Sequence, residues 1–73
     1  MSNLAQRFHL RLLAASEEHW AKANGYADLV RQADDNSEAV TFEAYRQAHK
    51  QTSLELRALA GELITEALKE ACA

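Results

Sequence analysis

Seventy-three residues with no proline, two glycines, 48% apolar and 26% charged side chains leave room for one domain and exclude a disordered or low-complexity chain. Eight basic against eleven acidic residues give a formal net charge of −3, which argues against the basic face that duplex nucleic acid requires. Alanine, leucine, glutamate, glutamine, lysine and arginine dominate and runs of valine, isoleucine and threonine are absent, so the expected fold is all-α.

The first helix is expected over about residues 3–33. Ser2 or Asn3 opens it; with Asn3 as the cap, Gln6 falls where a capping box places a glutamine. The opening MSNLAQRFHLRLLAA has a short apolar stretch, but Arg7, His9 and Arg11 interrupt it, so it reads as this helix rather than as a secretory leader. At about 100° per residue, Ala5, Phe8, Leu12, Ala15, His19, Ala23, Tyr26, Val30 and Ala33 share one broad face. Asn24-Gly25 is a potential break, yet the stripe keeps its phase across it, so the helix is expected to continue.

Asp34, Asp35, Asn36 and Ser37 combine poor mid-helix formers with good caps and mark the turn. Asp35 with Glu38, or Ser37 alone, can start the second helix, with Thr41 as a later option. So short a connection makes the helices antiparallel neighbours, pairing positions whose numbers add to about 72. Helix two, over about residues 38–71, carries Phe42, Tyr45, His49, Thr52, Leu56, Leu59 and Leu63 at alternating threes and fours, the seam of a left-handed helix pair. The expected domain is thus one helical hairpin spanning residues 1–73.

Apolar residues remain after that seam is filled. Leu54, Ala58, Gly61, Thr65, Leu68 and Cys72 form a second series on helix two, with Ile64 at its margin, and helix one answers with Leu10, Leu13, Trp20 and Ala27. One hairpin cannot cover both sets. The economical expectation is a homodimer packed as a four-helix bundle, with Leu10, Leu13, Trp20, Leu54, Ala58, Gly61 and Leu68 as the dimer or protein-interaction surface. The rival is a monomer that keeps this surface for a different protein.

Chemistry-bearing residues are sparse. The turn brings His19 and His49 within about one helical turn of each other, but zinc wants three or four convergent ligands, so no metal is expected and the histidines read as core residues. If both are buried, a pH-dependent bundle follows. Glu55, Glu62, Glu66 and Glu70 make an acidic sector, read as a solvated face because no Glu-x-x-His element accompanies it. Cys72 stands alone at the wrong helix end for a thiolate nucleophile, excludes an internal disulfide and fits a cytoplasmic protein.

No catalytic residue, cofactor or membrane span is expected. Arg46, Lys50 and Arg57 lie on one side of helix two, and Arg7 and Arg11 on a side of helix one, a thin footprint for nucleic acid. The expected function is therefore a small protein-binding regulator, adaptor or stoichiometric inhibitor, of the kind bacteria and their phages encode. The alternative is a nucleic-acid-associated or structural helical dimer. A metal-binding or enzymatic helical protein ranks third, because a two-helix layer has little room for a convergent pocket.

Overall fold

Helices α1 (Asn3–Gln32) and α2 (Asn36–Cys72) make up the computed structural model, which describes residues 3–72 and the side chains from Leu4 to Cys72. The fold is a two-helix all-α hairpin, packed along its length into a rod whose Cα trace spans 57 × 15 × 11 Å. The capping roles expected of Ser2 and Asn3 lie outside the described side chains. Helix α1 runs unbroken through Asn24 and Gly25, and neither glycine has a positive φ. The uninterrupted apolar phase thus outweighs the local turn signal at this pair.

Three residues connect the helices, and the turn chemistry is specific. Asp35 is the N-cap of α2: its Oδ1 accepts the Glu38 amide at 2.7 Å, and its carbonyl accepts the Ala39 amide at 3.2 Å. This satisfies one of the amides that a helix start leaves orphaned. Ser37 and Thr41, the other candidates for this role, lie inside the helix, where the Thr41 hydroxyl donates to the Ser37 carbonyl at 3.0 Å. Asp35→Ala is expected to lower hairpin stability by about 1 kcal/mol. Urea unfolding followed by helical circular dichroism measures this, and a midpoint equal to wild type would remove Asp35 from the cap.

Because the turn takes three residues, paired positions add to 68 or 69 rather than 72, as His9 with Ala60, Ser16 with Ser53 and His19 with His49 illustrate. On α1, His9, Leu12, Ser16, His19, Ala23, Tyr26 and Val30 are buried or half-buried; on α2, Phe42, Arg46, His49, Ser53, Leu56, Ala60, Leu63 and Ala67 are. Each row steps by threes and fours, the geometry of two helices crossing at a shallow angle.

The seam differs from the expected one in its rotation. Phe8, Tyr45 and Leu59, expected inside it, are 47%, 50% and 50% exposed. Their places at the closest approach are taken by small side chains. Ser16, Ala23, Ser53 and Ala60 are the buried residues among those described. A row of serine and alanine lets two backbones come close, and the larger residues then splay to the side. The most apolar stripe of the sequence consequently lies astride one flank of the hairpin, only half covered by the partner helix.

Candidate functional site

The seam's centre is polar and satisfied. The Ser16 hydroxyl donates to the Ser53 carbonyl at 2.8 Å, and the Ser53 hydroxyl donates to the Ser16 carbonyl at 2.8 Å. Their oxygens are 3.0 Å apart, and with each hydroxyl's single proton committed to a carbonyl that contact carries none. One step towards the open end, His9 Nδ1 lies 2.9 Å from the Ala60 carbonyl. A carbonyl only accepts, so His9 carries its proton on Nδ1. No described buried side-chain nitrogen or oxygen is left without a partner.

His19 and His49 meet beside this row, Nδ1 to Nδ1, at 2.8 Å. The expected juxtaposition of these two residues is thus present and closer than one turn, because the shorter turn shifts the register in its favour. One Nδ1 must donate while the other accepts. The rings stack at 5.1 Å, and Tyr26 stacks on His49 at 5.6 Å with planes 10° apart. Tyr26 also packs against Tyr45 at 5.3 Å and Phe42 at 6.3 Å, which closes an aromatic layer towards the turn. Among the described residues no group of three or more His, Cys, Asp or Glu side chains is arranged to hold a metal ion.

Near the turn, Arg46 grips Glu43 with two bonds, Nε to Oε2 at 2.8 Å and Nη2 to Oε1 at 2.6 Å, and Gln47 adds a third at 2.9 Å. The hydrogen bond from Arg46 is the main reason the Glu43 carboxyl falls from its usual 4.5 to about 2, with the Gln47 bond next. The same bond raises the Arg46 guanidinium above its ordinary value. Further ion pairs join Arg31 to Asp28 and, at 3.5 Å, Lys69 to Glu66. Of the three cations expected on one side of helix two, Arg46 is engaged by Glu43, Lys50 is half-buried and Arg57 is exposed.

The two sides of the rod differ. On the first, Phe8 and Leu29 of α1 border the half-buried Leu12, His19 and Tyr26, while Tyr45 and Leu59 of α2 border Phe42, His49, Leu56 and Leu63. Two open grooves join the helices along this side. One is lined by Phe8, Leu12, Leu59, Glu62, Leu63 and Glu66, the other by Lys22, Gly25, Tyr26, Leu29 and His49.

The second side carries the surface expected from the sequence. Leu10, Trp20, Leu54 and Leu68 are 57%, 40%, 44% and 52% exposed, Leu13 is half-buried, and Ala58 and Gly61 are exposed. Helical periodicity puts Leu10, Leu13, Trp20, Leu54, Gly61 and Leu68 beyond the serine–alanine row, away from both grooves, with Ala58 farther round α2. A Cβ on Gly61 would meet nothing within 4 Å, so the closest approach of the hairpin is made by Ser53 and Ala60 and not by this glycine. Glu43, Lys50 and Arg57 stand among these residues at helical spacing.

Missed by sequence reasoning were Ser16, Ser53 and Ala60, and the signal that could have found them is a heptad-spaced row of small residues in antiparallel register; His9, read with His19 and His49 as a core histidine, is half-buried on the Ala60 carbonyl. The Cys72 thiol is exposed. No helix among the described residues is long and apolar enough to cross a membrane. No known protein family, curated protein or solved structure matches this chain.

Proposed function

We propose that this chain is a small cytoplasmic protein-binding regulator, adaptor or stoichiometric inhibitor, without enzymatic activity, that works as a homodimer and meets a target protein through the Trp20–Leu54 side. The observation that carries this reading is the presence of apolar residues on both sides of one thin hairpin. A single second hairpin covers one side and leaves the other. The mixture of Trp20, Leu10, Leu54 and Leu68 with Glu43, Lys50 and Arg57 suits a surface that must be water-compatible when free and desolvated at its centre when bound. The pairing of Arg46, Arg31 and Lys69 with carboxylates supports a protein target over nucleic acid.

Trp20 is the expected anchor, since a large aromatic at the centre of such a patch dominates binding. Affinity capture with the tagged hairpin tests this. Trp20→Ala and Leu54→Glu are each expected to weaken capture of the bound protein by at least about tenfold, with helical circular dichroism unchanged. Capture indifferent to both substitutions would overturn the assignment of this side.

A further inference from the structure

We infer that the groove-bearing side of the hairpin, centred on the His19–His49 pair, is the self-association face and that its occupant is a second copy of this chain. The inference rests on the homodimer reading and deepens it by naming the face.

Area is the first argument. A compact chain of 8.1 kDa has an accessible surface of about 4,500 Å², whereas this one has 5363 Å², an excess of about 900 Å². A stable interface removes about 800 Å² from each partner. The excess is thus of the size that one further hairpin of the same kind would cover.

Composition says which side it covers. Between Phe8 and Leu29 on α1, and between Phe42 and Leu63 on α2, the charged residues lining this side are Arg11, Lys22 and Glu62, all exposed and at its outer margins, at the helical positions far from the partner helix. The opposite side over the same span carries Glu17 and Arg57 and, half-buried beside the central row, the Glu43–Arg46 pair and Lys50. A four-helix core tolerates charges at its rim and is disrupted by charges beside its central row, because charge taken from water costs several kcal/mol. Large side chains half covered in the hairpin, Leu12 and Leu63 among them, then become core residues.

Symmetry supplies the third argument. The side has a leucine-rich end, with Phe8, Leu12, Leu59 and Leu63, and an aromatic end, with Tyr26 and Tyr45. His19 lies midway between Phe8 and Leu29, so it sits at the centre of the side. If the second copy runs the same way, leucine end meets leucine end; if it runs the opposite way, leucine end meets aromatic end. Both arrangements bury apolar surface against apolar surface, and in both the two histidine pairs come together at mid-length. An isologous contact requires such a face, self-complementary about its own centre.

Sedimentation equilibrium from low to high micromolar chain tests the face. The wild type is expected to have the mass of a dimer. Leu59→Glu at one end and Tyr45→Glu at the other are each expected to weaken association at least about tenfold. Leu54→Glu, on the opposite side, is expected to leave the dimer intact. Both groove-side residues are half exposed in the hairpin, so helicity is retained, and circular dichroism of each variant identifies any that has unfolded. A dimer that survives Leu59→Glu and Tyr45→Glu but dissociates with Leu54→Glu would overturn this face while leaving a homodimeric protein. A wild-type monomer throughout the range would overturn the face and the homodimer together, leaving the Trp20 side to be judged by capture.

Discussion

Ser53→Leu is expected to abolish cooperative folding of the hairpin, or to lower its thermal midpoint by well over 10 °C. Ser53 is fully buried, and its hydroxyl reaches the Ser16 carbonyl of the facing helix at 2.8 Å. A leucine there adds volume at the point of closest approach, where overpacking costs about 1–3 kcal/mol. It also removes one cross-helix hydrogen bond, worth about 1 kcal/mol, and by separating the backbones stretches the reciprocal bond from Ser16. A single core in a chain this small supplies no more than about 3–5 kcal/mol, so the loss consumes most of it.

Ser53→Ala provides the contrast. It keeps the backbone spacing, and the Ser16 hydroxyl can still donate to the carbonyl of residue 53, so a cost of about 1 kcal/mol is expected. Thermal melts by circular dichroism compare the two variants at one chain concentration. Equal midpoints for Ser53→Leu and wild type would show that the helices do not approach each other through this row.

His49→Leu is expected to lower the thermal midpoint of the hairpin by about 4–8 °C. The 2.8 Å contact between His19 Nδ1 and His49 Nδ1 joins the two helices, and Tyr26 stacks on the His49 ring at 5.6 Å. A leucine keeps much of the bulk but removes this cross-helix hydrogen bond, worth about 1 kcal/mol, and the ring face on which Tyr26 stacks.

Thermal melts by circular dichroism at neutral pH compare this variant with wild type, and equal midpoints would remove the His19–His49 contact from the forces that hold the hairpin. The Glu43–Arg46 pair makes a separate contribution. The Glu43 carboxyl is depressed from 4.5 to about 2, so its contribution is present above the ordinary value and is lost as pH falls towards the lower one.

The parts of this fold written most clearly in the sequence are those set by local chemistry. Asp34 to Ser37 interrupt two helix-forming segments, and Asp35 caps the second by a bond that its side chain can make only there. The juxtaposition of His19 and His49 follows from the position of that turn. The rotation of the seam was not legible, because the residues nearest the axis are two serines and two alanines, which carry almost no hydrophobic signal. Hydrophobic periodicity points to where large side chains gather, and in this hairpin they gather beside the line of contact. Phe8, Tyr45 and Leu59 therefore misled, and Ser16 and Ser53 were passed over as polar.

The antiparallel register also orders the assembly of the hairpin in time. Contacts lengthen in sequence with distance from the turn: Tyr26 and Phe42 are separated by 16 residues, His19 and His49 by 30, Ser16 and Ser53 by 37, and His9 and Ala60 by 51. Loop-closure entropy rises only by about 0.6 kcal/mol per doubling of the loop, so closing the aromatic layer first makes each later contact a small extension. The chain is expected to close like a zip from Asp35 outward, and the open end of the hairpin beyond His9 and Ala60 to separate first when it loosens.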